Sequence, residues 1–186
     1  VNWRQSLIAT GAACIIGAPL AAGASGPLVE IGGNLAFEYA NNGRTLESRQ
    51  PVALRGGYRF DGVDLFLEHD SFSYSQGTSA VQVRRSHQEW IFWGRRLFAP
   101  PGLEEIRLKP FAAGGIGARA DKVETTLNGV TTTNTGRAEP LGALAGGFEA
   151  ITADGFSLDV EIRATLSSGY APNPVPGFGL FAGWRF

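Results

Sequence analysis

Only two histidines occur in the 186 residues, and one of them is placed where it could do chemistry. In the run His69-Asp70-Ser71 an extended backbone puts His69 and Ser71 on the same face, because side chains alternate sides along a strand. A serine hydroxyl becomes a nucleophile when an imidazole base lies within hydrogen-bond reach and a third group orients that base. Asp70 points to the opposite face, so the orienting group would have to come from a neighbouring strand, and Glu89 is the candidate. Such a trio would suit acyl hydrolysis. The alternative for His69 is a plain position on the rim of a strand, and His87 reads as a member of a polar strand face. Beyond residue 24 the sequence holds no phosphate-cradling glycine loop, zinc-ligand spacing or calcium loop, so no cofactor or metal is expected.

The elements that must position these residues show a period of two. Val29, Ile31, Gly33, Leu35, Phe37 and Tyr39 fall on one face of a first segment, and Glu30, Gly32, Asn34, Ala36 and Glu38 on the other. A second segment sets Val52, Leu54, Tyr58 and Phe60 against Ala53, Arg55 and Arg59. Asp61-Gly62 then forms a two-residue hairpin turn into a third, with Val63, Leu65 and Leu67 on its apolar side. The fourth lies within residues 83–98. Its Trp90-Ile91-Phe92-Trp93 run is apolar on both faces, so it needs either a bulge or bulky interior side chains, and its register stays open. A fifth runs from Ile106 to Ala118, a sixth from Pro140 to Ala150, and a seventh alternates Phe156, Leu158, Val160 and Ile162 with Ser157, Asp159, Glu161 and Arg163. The last alternates Phe178, Leu180, Ala182, Trp184 and Phe186 with Gly179, Phe181, Gly183 and Arg185.

Eight alternating segments would suit a soluble sandwich as well as a barrel, and the polar faces decide between them. They carry Glu30, Glu38, Asp64, Glu68, Asp70, Asp159 and Glu161 against Arg55, Arg59, Arg107, Lys109, Arg119, Arg163 and Arg185, with glycine and alanine between. Balanced charge among small residues is what the crowded interior of a narrow closed barrel requires. Arg55, Arg59, Asp64, Glu68, Arg107, Lys109, Asp159, Glu161, Arg163 and Arg185 are therefore expected to form a charge network across the lumen, filling it as a plug. The links between segments alternate in length. Those at 61–62, 99–102 and 151–155 are short, and those at 40–50, 71–82, 121–137 and 167–176 are long, as in a transmembrane barrel with short periplasmic turns and longer outer loops. Aromatic residues fall near both ends: Tyr58, Phe60, Phe98, Trp184 and Phe186 at the turn side, and Phe37, Tyr39, Phe72 and Tyr74 at the loop side.

Arg4, an apolar stretch over residues 7–18, Pro19 and then Ala22-Gly23-Ala24 read as a secretory signal peptide cut after Ala24. The apolar stretch is shorter than the ~20 residues of a helical span, and no later segment approaches that length. Cys14, the one cysteine, lies within the leader, so residues 25–186 form one barrel domain without disulfides. A net charge of -1, scattered along the chain, argues against a nucleic-acid partner.

The stretch Lys109-Pro110-Phe111-Ala112-Ala113-Gly114-Gly115-Ile116-Gly117 and the closing Gly179-Leu180-Phe181-Ala182-Gly183-Trp184-Arg185-Phe186 resemble the small eight-stranded outer-membrane barrels, namely the OmpA transmembrane-domain and opacity-type surface protein families. Phe181 stands where those families usually carry glycine. The resemblance implies an antiparallel up-and-down barrel in the outer membrane, in contact with its lipid and lipopolysaccharide. It implies that Trp184 and Phe186 are the aromatic signal read by the barrel-assembly machinery. Members of such families act as wall tethers, adhesins, small-solute pores or lipid-modifying enzymes. A wall-binding domain is not expected after the last strand. In the lipid A deacylases of this architecture the catalytic His-x-Ser pair would fall near Ala164-Thr165-Leu166-Ser167-Ser168-Gly169, which has serine and no histidine, leaving His69, Ser71 and Glu89 as the enzymatic alternative. The expected role is a structural or surface-interaction protein, not an enzyme, acting through four outer loops on an extracellular ligand.

Overall fold

The computed structural model describes residues 25–40, 45–49, 51–78, 81–99, 107–167 and 174–186, with the side chains of 37–40, 45–49, 72, 74 and 76 excepted. The expected leader with its cleavage site and Cys14 lies outside the described residues, as do the side chains of Phe37, Tyr39, Phe72 and Tyr74. The described chain forms ten strands: β1 (Gly26–Ala40), β2 (Thr45–Arg49), β3 (Val52–Phe60), β4 (Val63–Gly77), β5 (Val81–Leu97), β6 (Leu108–Leu127), β7 (Val130–Thr135), β8 (Glu139–Ile151), β9 (Phe156–Ser167) and β10 (Val175–Arg185).

Eight of them close a barrel. The antiparallel order is β1-β3-β4-β5-β6-β8-β9-β10, and β10 returns to β1 with Leu28 opposite Arg185 and Ala36 opposite Gly177. The seam ends where the Phe186 amide donates to the Pro27 carbonyl at 3.0 Å. Closure removes the unpaired backbone edges that a sheet would otherwise present, a condition for a β-structure in hydrocarbon. β2 and β3 are one interrupted strand. They hold the same register against β1, with Ala36 opposite Arg49 and Gly33 opposite Val52, and β3 begins just after Pro51, which has no amide to give.

Asp61-Gly62 makes the expected tight turn, both residues at positive φ of 50° and 83°. A second turn of this kind, Asn128-Gly129 with φ of 47° and 83°, lies within a stretch expected to be loop. There β6 runs on to Leu127 and returns as β7, paired from Leu127↔Val130 to Lys122↔Thr135. Likewise β4 extends to Gly77 and β5 begins at Val81, so most of the loop expected over 71–82 is strand. Serine and threonine mark these segments as polar, and the β-branched threonines also favour extended backbone. Polarity alone suggests loops, but the hydroxyl-rich segments are strands that continue the sheet.

β5 contains no bulge. Its pairing with β4 and with β6 is unbroken from Val81 to Leu97, so bulky interior side chains are the answer: Trp90 and Phe92 face out, while Ile91 and Trp93 are buried inside. Among the described residues the one register slip lies elsewhere. Lys122 is opposite Thr135 and Arg119 opposite Glu139, which leaves one extra residue between β7 and β8.

Polarity across the wall is inverted relative to a water-soluble protein. Ile31, Leu54, Phe92, Ile116 and Ile162 face outward and are exposed, the last two by 73% and 71%, while Glu30, Arg55, Glu68 and Asp159 are buried within the ring. Exposure of that much apolar surface in water would cost about 25 cal/mol per Å², so the outer face calls for an apolar solvent.

Candidate functional site: the lumen and its mouth

Side-chain alternation sends one residue in two from every strand of the ring into a space too narrow for solvent and side chains together. Five arginines and seven carboxylates meet there. Arg55, from β3, reaches Glu68 on β4 at 2.5 Å, Glu161 on β9 at 2.7 Å and Glu30 on β1 at 3.3 Å. Arg163, from β9, crosses to Glu68 at 2.6 Å and Asp70 at 3.4 Å, and Asn34 donates to the same Asp70 at 2.8 Å. Toward the turn end, Arg59 binds Asp64 at 2.6 Å and Glu149 at 2.8 Å. Arg95 binds Asp64 at 2.5 Å, Glu30 at 3.1 Å and Asp159, with Glu149 3.5 Å away. Arg185, from the last strand, binds Glu30 at 2.6 Å and Glu149. Each arginine ties its own strand to a carboxylate on at least one other strand, so the network braces the ring across its diameter.

Aromatic rings fill the space between these pairs. The Arg55 guanidinium lies 3.3 Å from the centroid of the Phe181 ring and 5.1 Å from that of Phe66, while Arg95 lies near Phe66 and Phe111 at 5.2 and 5.1 Å. A guanidinium over a ring face is attracted by the ring quadrupole, more so away from water. Phe181 is fully buried, and the strand beside it makes room: a Cβ on Gly32 would stand 2.5 Å from the Phe181 ring and against the Leu180 carbonyl. The departure from glycine at 181 is thus matched by a glycine across the seam.

Of the residues assigned to the network from sequence, Arg55, Arg59, Asp64, Glu68, Asp159, Glu161, Arg163 and Arg185 meet in the lumen. Arg107 does not: it precedes β6 at the turn end and is exposed. Lys109 is half-buried at that end, opposite Glu149 in the β6–β8 register. Arg95 and Glu149 are also central, and the sequence does not mark them: the fourth segment is apolar on both faces and the sixth carries small residues on both, whereas Trp90 and Phe92 facing out place Arg95 inside.

Above the apolar belt the interior opens at a polar mouth. Gln88 and Lys122 face out at this level on β5 and β6, and His87, Arg119 and Asp121 face in. The Nδ1 of His87 lies 2.6 Å from Asp121 Oδ1 and 2.7 Å from an Arg119 nitrogen. Burial works against ionisation of Asp121, but the hydrogen bonds from His87 and Arg119 outweigh it and hold its carboxyl well below the usual carboxylate range.

The nucleophile trio is not assembled. His69 faces outward and stacks on Trp90, ring centroids 4.0 Å apart, with Nδ1 3.3 Å from the backbone carbonyl of Glu89. Glu89 is directly opposite Asp70, on the inner face, so its carboxylate is on the other side of the wall from His69. Ser71 is exposed opposite Gln88. The reason is register: a residue that orients His69 must be its cross-strand partner, and that place belongs to Trp90.

No family model matches this chain, and no curated protein matches it significantly. Solved structures do. Neisserial surface protein A, NspA, superposes with a TM-score of 0.63 at 15% identity, over 88% of this chain and 100% of the other. The shared property is the fold. Ail, the attachment invasion locus protein of Yersinia pestis, superposes with a TM-score of 0.59 at 14% identity in its complex with the heparin analogue sucrose octasulfate, over 87% of this chain and 99% of Ail. Another Ail structure gives 0.56 at 16% identity over the same shares. This chain is a closed eight-stranded antiparallel barrel of the kind seen in those structures.

Proposed function

We propose that the chain is an outer-membrane surface barrel that acts by binding, through the strand extensions at its hairpin end, and neither conducts solutes nor hydrolyses lipid. The observation that carries this is the inverted wall, apolar outside and filled with cross-braced ion pairs inside. Such a wall is stable in hydrocarbon, and the guanidinium-carboxylate network leaves the lumen no continuous water path. The short turns then face the periplasm and β2, β7 and the tops of β4, β5 and β6 stand outside the cell, where they meet lipopolysaccharide and an extracellular partner. NspA, which shares the fold, is a surface protein by name, and Ail is by name an attachment invasion locus protein. Export by a leader cut after Ala24 and delivery by the barrel-assembly machinery complete the reading.

Protease treatment of intact cells tests it. Cuts at the hairpin end, within 78–81 or 128–137, are expected, with residues 61–62 and 152–155 protected until the envelope is opened. Cuts confined to the short turns would reverse the topology and sink the proposal.

A further inference from the structure

β6 changes partner at one point. It is paired with β8 as far as Arg119↔Glu139 and with β7 from Lys122↔Thr135 onward, and in the fork between them the Gly136 amide donates to the Asp121 carbonyl at 2.8 Å. His87 lies on the inner face at this fork, directly opposite Asp121 and 5% exposed. Among the described residues the charged groups around it are Asp121 and Arg119 on β6, Glu89 and the exposed Arg85 on its own strand, Asp70 on β4 opposite Glu89, and Glu139 on β8 opposite Arg119. Asp70 is engaged by Asn34 and Arg163. Asp121 and Arg119 touch the imidazole itself.

Both of them meet the same nitrogen. His87 Nδ1 is 2.6 Å from Asp121 Oδ1 and 2.7 Å from Arg119 Nη2, while Arg119 Nε donates to that same Asp121 oxygen at 2.6 Å. A guanidinium nitrogen only donates and an ionised carboxylate only accepts, whereas an imidazole nitrogen does one or the other according to whether it carries a proton. The two contacts therefore belong to two states of one ring. Without a proton, Nδ1 accepts from Arg119, and Arg119 Nε holds the carboxylate. With a proton, Nδ1 donates to Asp121 and faces an N–H of Arg119, so that arm of the guanidinium has to turn toward the carboxylates that flank it, Glu89 and Glu139. Asp121 does not take the proton in place of the ring, because its hydrogen bonds keep its carboxyl ionised well below the usual carboxylate range. Imidazole is the side chain whose charge ordinarily changes between about pH 5 and 8.

We propose that His87 is a proton-operated latch at the mouth of the barrel, whose Nδ1 exchanges Arg119 for Asp121 as its partner when the medium turns acid. The exchange adds one positive charge at the fork and re-aims Arg119, the last residue of β6 paired with β8 before the strand turns to β7. The charge that the mouth presents then depends on the pH around it. That this reaches an extracellular partner rests on the reading that the hairpin end faces outward.

The test uses the full-length folded protein in nanodiscs with isotope-labelled histidine and arginine, and follows the ring nitrogens by NMR from about pH 8.5 to about pH 5. His69, outward and stacked on Trp90, is assigned through His69→Gln and serves as the internal reference. At the alkaline end Nδ1 of His87 is expected bare and Nε2 protonated; toward acid both carry protons, and the Arg119 Nε signal shifts at the same midpoint. Asp121→Asn removes the anion that favours the charged ring and should lower the His87 midpoint by about one pH unit, and Arg119→Gln removes the cation that opposes it and should raise it by about as much. His69 should keep its midpoint in both, and mobility on unheated gels shows that each variant is folded. A protonation state of Nδ1 that stays the same across the range, bare or protonated, overturns the proposal, as does a His87 midpoint that neither substitution moves. If a variant does not fold, the Nδ1 state and the Arg119 signal of the native protein decide. The ring titrates alike whichever side of a membrane the hairpins occupy, so the latch can fail while protease mapping succeeds, and the reverse.

Discussion

Replacing Arg95 by methionine should destabilise the folded barrel more than any other single loss of charge. Arg95 is completely buried and its guanidinium serves Asp64, Glu30, Asp159 and, at 3.5 Å, Glu149. Methionine keeps the length of the stem and removes the charge. The four carboxylates would then share Arg59 and Arg185, with Arg55 reaching Glu30 alone among them. Breaking a buried pair by deleting one partner costs about 3–5 kcal/mol, because the abandoned charge stays desolvated. With a urea slope of roughly 3 kcal/mol per molar, the unfolding midpoint should fall by about 1–1.7 M. The assay is urea unfolding in lipid vesicles, followed by the fluorescence of the buried Trp93 and by loss of the compact form on unheated gels. Arg107→Met is the control: Arg107 is exposed at the turn end, and the change should stay within about 0.5 kcal/mol. Pairing Arg95→Met with Asp159→Leu should restore part of the loss, since it removes an anion that has lost its partner. A cost for Arg95→Met below about 1 kcal/mol would refute the reasoning. It would mean that water screens these charges and the lumen is not a packed core.

Gly32→Val should abolish or sharply reduce the folded form, as its Cβ would meet the Phe181 ring and the Leu180 carbonyl, whereas Gly56→Ala, with open space around its Cβ, should fold normally; gel mobility of membrane extracts distinguishes them. Replacing Trp184 and Phe186 with alanine should lower the amount of folded, heat-modifiable protein in the outer membrane, and a normal yield would count against their role as the assembly signal. In planar bilayers the purified protein should give no stable large conductance, and uniform channels would contradict the filled lumen. Mass spectra of lipid A from cells with and without the protein should match; a missing acyl chain that returns in His69→Ala or Ser71→Ala would reinstate the hydrolase.

Much of this architecture was legible because a barrel wall repeats one rule. Where one face of a strand is uniformly apolar, as in β3 and β9, a period of two fixes the inside and the outside at once. The rule fails where both faces are apolar. In β5 the run Trp90-Ile91-Phe92-Trp93 hides the parity, and with it the inward place of Arg95. It fails again where small residues fill both faces: in β8, Gly142, Ala143, Ala145, Gly146 and Gly147 conceal the fact that Glu149 points in. The trio around His69 misled for a related reason. Sequence spacing put His69 and Ser71 on one face correctly, but the third member depended on the register between two strands, and one step of register exchanges Glu89 for Trp90. The threonine-rich hairpin reads as a loop by its polarity, and only the Asn128-Gly129 turn signal marks it as paired strands.

The two halves of the molecule divide their tasks by how their strands are held. Within the belt every strand is paired on both sides and braced across the lumen by guanidinium groups that each serve several strands. Opening any one pair there exposes charges that no solvent reaches, so the ring moves as a unit. Above His87 that bracing ends. β7 rests on a single neighbour and its residues are exposed, so its free energy of opening is set by the backbone ladder to β6 and the turn at Asn128-Gly129. Hydrogen exchange at Val130, Thr132 and Asn134, whose amides bond to β6, should therefore be faster than at paired amides within the ring, and exchange as slow as the ring's would mean that more than this ladder holds the hairpin.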